Sequence, residues 1–158
     1  NYDSLEIGKG IIIQEGNDVA ILNLGTRMQS CEEAIKLLNS HNIYPTLADA
    51  RFAKPIDQLL ITQLARDHEV LLTVEEGSVG GFSAQVMSFL TKSGALDKGL
   101  KYRPLFFPDI FVNHGKPEKQ IVECGIDVDS IIRSITARRI YVSGGAAPAT
   151  RIIRSLQT

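Results

Sequence analysis

Val70-Leu71-Leu72-Thr73-Val74-Glu75-Glu76-Gly77-Ser78-Val79-Gly80-Gly81-Phe82 carries the chain from one kind of order into another. The first five residues are apolar or β-branched at every position, the pattern of a strand covered on both faces. Residues 75–81 read as a glycine-bearing loop. Phe82, Val86, Phe89 and Leu90 then recur at the spacing of one buried helix face. A strand that needs cover on both sides, followed at once by an amphipathic helix, is one unit of a parallel sheet wrapped by helices.

The same unit recurs upstream. Val19-Ala20-Ile21-Leu22-Asn23-Leu24 is a second apolar run; Gly25-Thr26 ends it, and Thr26 is expected to cap a helix bearing Met28, Cys31, Ile35 and Leu38. Residues 43–49 form a strand with Pro45 at its start, and Asp57 caps a helix carrying Leu59, Leu60, Ile61, Leu64 and Ala65. Before all of these, residues 10–14 make a short β-branched strand. The Glu15-Gly16-Asn17-Asp18 turn predicts that it forms a hairpin with the run after it, at a sheet edge. Downstream, residues 103–108 form a fifth strand. Pro117 opens a short helix ending at Cys124-Gly125, and Asp127 or Asp129 caps a last helix with Val128, Ile131, Ile132 and Ile135. The expected fold is therefore a three-layer α/β/α domain over residues 1–140, with a five-stranded mixed sheet whose one edge strand is antiparallel. Residues 141–158, with Ser143-Gly144-Gly145-Ala146-Ala147-Pro148 at their head, read as a flexible tail.

Composition narrows the function. The chain has 158 residues, 17 basic and 18 acidic side chains and a formal net charge of -1. Scattered, balanced charge gives no footprint for nucleic acid, and no apolar run reaches the length of a membrane span. Cys31 and Cys124 stand far apart without metal spacing and read as two reduced thiols. The opening at Asn1, with no signal pattern behind it, reads as part of a longer polypeptide.

Three segments carry polar residues at strand ends, where open α/β sheets place their ligands. In residues 75–81, backbone amides at the helix start can receive an anion, and an anion-binding regulatory module built on Gly77 to Gly81 is one reading. Against it, Glu75 and Glu76 repel a phosphate, and no GxGxxG or P-loop pattern is present. In Asp49-Ala50-Arg51-Phe52-Ala53-Lys54-Pro55-Ile56-Asp57, Arg51 and Lys54 can hold a carboxylate or phosphate, or pair with Asp49, Glu75 or Glu76. Asp109 and His114 invite a triad reading, but no serine or cysteine stands in a nucleophile elbow. His41 and His68 fall at helix ends, where the dipole favours them. These residues do not assemble a catalytic set.

The same segments resemble a known family. Leu5-Glu6-Ile7-Gly8-Lys9-Gly10, Asp18-Val19-Ala20-Ile21-Leu22, Asp49-Ala50-Arg51-Phe52 with Lys54-Pro55 and Asp57, and Thr73-Val74-Glu75-Glu76-Gly77 with Gly80-Gly81-Phe82 are similar, in register, to the C-terminal domain of 1-deoxy-D-xylulose 5-phosphate synthases. Pro108-Asp109 with Phe111, His114-Gly115 and Pro117-Glu118 point to the synthases in particular among the wider transketolase relatives. Ser4 and Ser83 depart from the usual pattern.

The resemblance implies a parent enzyme that uses thiamine diphosphate and magnesium. It would condense pyruvate with glyceraldehyde 3-phosphate and release carbon dioxide, supplying isoprenoid, thiamine and pyridoxal synthesis in the cytoplasm or a plastid. In that family the cofactor and metal are held by upstream domains, so no catalytic, cofactor or metal residue is expected here. The third domain packs on the middle domain and supports a homodimer. Asp49, Arg51, Glu75 and Gly80 are the interface residues expected on this basis.

Overall fold

A computed structural model describes residues 4–136; the expected boundary at residue 140 and the tail lie outside the described residues. The chain runs β1 (Ile11–Gln14), β2 (Val19–Leu24), α1 (Met28–Asn39), β3 (Thr46–Asp49), α2 (Gln58–Asp67), β4 (Val70–Ser78), α3 (Phe82–Lys92), a 3-10 turn (Ala95–Lys98), β5 (Lys101–Phe107), α4 (Pro117–Glu123) and α5 (Val128–Thr136). The strands form one sheet in the order β1-β3-β2-β4-β5. β2 is parallel to both β3 and β4, β4 is parallel to β5, and β1 alone is antiparallel.

The alternation of side chains along β2 explains the layering. Val19 and Ile21 face a core that includes Cys31, Ile35 and Leu38 of α1 and Ile131, Ile132 and Ile135 of α5. Ala20 and Leu22 face the opposite way, onto Leu60, Ile61 and Leu64 of α2 and Phe82, Val86 and Leu90 of α3. Two-residue periodicity thus divides one strand between two cores, and a strand so covered occupies the centre of the sheet. The three-layer α/β/α architecture with an antiparallel edge strand is the expected one.

The expected hairpin does not form. β1 pairs with β3, Ile11 opposite Asp49 and Ile12 opposite Ala48, because β2 is flanked on both sides by parallel partners. The connection crosses the start of β3 instead of folding back. Asn17 N–H donates to Tyr44 O at 2.6 Å and Gly16 N–H to Thr46 Oγ1 at 2.9 Å. A Cβ on Gly16 would overlap the Tyr44 carbonyl and the Pro45 backbone, so only glycine passes.

Three smaller expectations also change. β4 runs on to Ser78, with an irregularity after Val74, so only residues 79–81 turn freely. Thr26 does not cap α1: Gly25, at φ 85°, leaves Thr26 exposed one residue early, and Arg27 takes the N-cap position without a side-chain bond. β5 begins at Lys101, and Pro104 is accommodated because this is an edge strand. Asp57 and Asp127 cap as expected, receiving the Leu60 and Ser130 amides at 3.0 and 3.2 Å.

The thiols and histidines serve structure. Both cysteines are free and buried. Burial pushes the Cys31 thiol up to about 12, against the opposing pull of the Arg27 charge. Cys31 is therefore expected to resist a water-soluble disulfide reagent at pH 8 in the native chain and to react in denaturant, as followed by thiolate release. His68 Nδ1 lies 3.0 Å from Leu64 O and its Nε2 2.7 Å from Thr46 Oγ1, closing a chain of hydrogen bonds that begins at Gly16. His41 meets Leu37 O at the end of α1.

Candidate functional site

The parallel strands end together, and the loops after β3, β2, β4 and β5 form one edge of the sheet. β1 is antiparallel, so the segment entering it lies at the same edge, with Ile11 opposite Asp49. All four expected interface residues are found along this edge, in different states.

Glu75 is buried, 3% exposed, and its carboxylate caps α3. Phe82 N–H donates to Oε2 at 2.9 Å and Ser83 N–H to Oε1 at 2.7 Å. A carboxylate here satisfies two orphan amides and sits at the positive end of the helix dipole. The loop is shaped around it. A Cβ on Gly77 would overlap Oε2, and one on Gly81 would lie 2.7 Å from it. Gly80, at φ 90°, makes the reversal with nothing near it, and Gly81 N–H closes the turn onto Ser78 O at 3.0 Å. The glycines thus serve a tight turn and close packing. The α3 amides that an external anion would need are already taken by the protein's own carboxylate.

Asp49 uses Oδ1 to accept the Arg51 N–H at 2.9 Å, and Phe52 N–H reaches Ala50 O at 2.6 Å. These bonds hold Arg51 at φ 57°, an uncommon conformation for a side chain of its size. Arg51 is exposed, and among the described residues its guanidinium makes no ion pair or hydrogen bond. The sequence offered Asp49, Glu75 and Glu76 as its partners. Asp49 is spent on the backbone, Glu75 on α3, and Glu76 pairs with Arg27, Oε1 to Nε at 2.7 Å. That contact is Coulombic, since the buried Nε finds no well-aligned hydrogen bond. Arg27 escaped the sequence reading, which treated its position as the first turn of a helix. Asp109 and His114 are both exposed, and no hydrogen bond joins them.

The less expected feature is apolar. Of the eleven large hydrophobic residues exposed among the described ones, six stand at this edge: Leu5, Ile7, Leu59, Val79, Ile110 and Phe111. Phe111 is fully exposed, and Ile7 and Leu59 are 75% and 73% exposed. Exposed apolar residues gathered on one face mark an interaction surface. The sequence signal was the apolar run Ile110-Phe111-Val112 continuing past the end of a strand, where a solvated loop has no use for it.

The residues here do not fit thiamine diphosphate or its metal. A diphosphate at the β4–α3 loop would face Glu75 and Glu76, with the α3 amides occupied. Among the described residues no group of three His, Cys, Asp or Glu side chains is placed to hold a metal ion. None of the described helices is long and apolar enough to cross a membrane.

Residues 8–131 match the family described as the transketolase C-terminal domain. Among solved structures, a chain of a split-gene transketolase, described as an inactive β4 tetramer, is 26% identical at a TM-score of 0.76, covering 84% of this chain and 42% of that one. Transketolase from Campylobacter jejuni subsp. jejuni superposes at TM-score 0.54 with 14% identity, over 83% of this chain and 19% of that one. A Pichia stipitis transketolase mutant superposes at 0.55 with 16% identity, over 85% and 18%. This chain therefore spans less than half the length of each of these proteins. With its sheet order, its two helical layers and a family match over most of its length, the chain belongs to the transketolase C-terminal domain family.

Proposed function

We propose that this chain is the C-terminal domain of a 1-deoxy-D-xylulose 5-phosphate synthase. That enzyme is a thiamine-diphosphate- and magnesium-dependent transferase of the cytoplasm or a plastid, and it joins pyruvate to glyceraldehyde 3-phosphate with loss of carbon dioxide. The synthase is favoured over other family members by the Pro108-Asp109, Phe111 and His114-Gly115 segment that the sequence shares with it. Within that enzyme the domain is a structural part that packs against the middle domain and supports the homodimer, and alone it is inactive. A similar chain, the split-gene transketolase subunit, is described as inactive in its own tetramer.

The observation that carries the assembly role is the state of the sheet's carboxyl edge. Its buried carboxylate caps the protein's own helix, while apolar side chains and an unpaired arginine are turned outward. A binding site for a small polar substrate would have the reverse arrangement, with polar groups converging inward on a cavity.

Two measurements test this reading. The whole polypeptide, supplied with thiamine diphosphate and magnesium, is expected to release carbon dioxide from pyruvate only when glyceraldehyde 3-phosphate is present. Transfer between ketose and aldose phosphates without pyruvate would overturn the synthase assignment. In the same enzyme Arg51→Ala is expected to weaken dimer or domain docking about tenfold while leaving cofactor affinity nearly unchanged. The opposite ranking would overturn the assembly role.

A further inference from the structure

The opposite edge of the sheet, where the parallel strands begin, holds a cavity of about 480 Å³. Its walls come from the ends of α2 and α3, the 3-10 turn and the residues leading into β2, β4 and β5. Ala65, Ala95 and Leu100 make part of the wall apolar. Charge gathers at the mouth, Asp18, Asp67 and Glu69 against Arg66 and Lys98, all exposed. Arg66 and Asp67 offset one another in an ion pair, Nε to Oδ1 at 2.7 Å. His68 has both ring nitrogens engaged, at Leu64 O and Thr46 Oγ1. Lys101 and Arg103 alternate onto the other face of the sheet, where Arg103 donates to Ser134 O of α5. Two carboxylates at the mouth then stand against one ammonium. The carboxyl ends of α2 and α3, which meet the cavity at Asp67 and Ser93, add roughly half a negative charge each. The mouth is electronegative and suits a cation with an apolar body.

The chain carries such a group. All 18 acidic side chains lie in residues 1–136, whereas Arg138, Arg139, Arg151 and Arg154 follow with no acidic side chain among them. Arg151-Ile152-Ile153-Arg154 joins two guanidiniums to two large apolar side chains. α5 delivers the chain to the correct edge, since Ser134, near its end, meets Arg103 close to the start of β5. The residues between Thr136 and Arg151 span up to roughly 50 Å when extended, enough to cross the edge from the α5 face to the α2 and α3 face. A segment tethered in this way meets the cavity at a millimolar effective concentration, so exposed ion pairs that are individually weak suffice to seat it. We propose that Arg151-Ile152-Ile153-Arg154 docks in this cavity, with its guanidiniums at Asp18 and Glu69 and its isoleucines against Ala95 and Leu100. The segment then straps the amino edge of the sheet. This contact is separate from the carboxyl edge and holds whichever enzyme of the family the chain belongs to.

The test uses the full 158-residue chain at low ionic strength. With Ala95→Cys and Ile153→Cys in one chain, mild oxidation is expected to close an intramolecular disulfide quickly. With Phe111→Cys and Ile153→Cys, where the first cysteine stands at the opposite edge, closure is expected to be several-fold slower. Both native cysteines are buried and stay out of the exchange. In a second measurement, trypsin cleavage after Arg151 is followed by mass spectrometry. Glu69→Lys and high salt are each expected to speed it about fivefold, and Lys98→Glu, which removes the opposing cation, to slow it. Lys98 is exposed on the 3-10 turn, so its variant reads the contact even where Glu69→Lys weakens the start of β4. Equal closure of the two cysteine pairs, or cleavage that neither Lys98→Glu nor salt alters, overturns the proposal.

Discussion

Glu75→Ala is expected to lower the stability of the domain by about 3 kcal/mol, measured by urea denaturation. Two mechanisms combine. The Phe82 and Ser83 amides lose charge-assisted acceptors at 2.9 and 2.7 Å, and they lose them in a place that water does not reach. A buried donor left unpaired costs more than the bond it once made is worth. Phe82 is itself among the largest fully buried side chains, so a frayed first turn of α3 also loosens the core beneath it. Glu75→Gln is expected to recover less than half of the loss, because its amide nitrogen must face one of the two N–H donors. The loop supplies an independent check. Gly77→Ala forces a Cβ onto Oε2, and it should displace the carboxylate and destabilise α3 with Glu75 still present. A Glu75→Ala chain that unfolds at the same urea concentration as the unaltered chain would show that the carboxylate is not the cap.

How far the fold was legible follows from which physical signal each element carries. Val70–Val74 and Val19–Leu24 announce themselves because a strand in the middle of a covered sheet must be apolar on both faces, and few other structures require that. The helices were legible through Cys31, Ile35 and Leu38, or Ile131, Ile132 and Ile135, whose spacing places them on one buried stripe. Strand pairing was less legible. The Gly16-Asn17 turn has hairpin chemistry, yet what sends β1 to β3 is the packing of that turn against Tyr44 and Pro45, almost thirty residues on.

The site shows the same division. The sequence placed Asp49, Arg51 and Gly80 at or just past strand ends, whereas Glu75, expected in the loop, lies within β4. It did not reveal that Glu75 points inward, because a carboxylate before a glycine-rich turn reads equally well as a ligand or as a cap. Only the register of β4 against the start of α3 decides between them. Arg27 gained its meaning from strand order, since it pairs with Glu76 because β2 ends beside β4, which local spacing does not contain.

Gly16→Ala is expected to be more damaging than its size suggests, lowering stability by about 3 kcal/mol in urea denaturation. The added methyl would fall on the Tyr44 carbonyl and the Pro45 main chain, and main chain has no alternative rotamer to adopt. Relief requires the β1–β2 connection to lift away from the start of β3. Lifting it breaks the bond from Asn17 N–H to Tyr44 O and that from Gly16 N–H to Thr46 Oγ1. Thr46 is buried and also meets His68 Nε2, so the disturbance passes to the end of α2, where His68 Nδ1 meets Leu64 O. Amide exchange should then accelerate first in β1 and at Asn17, while β4, flanked by β2 and β5, keeps its protection until global unfolding. A hairpin of β1 with β2 would carry the alanine in a free turn and leave stability nearly unchanged. The size of this one methyl effect therefore discriminates between the two ways of pairing the first strand.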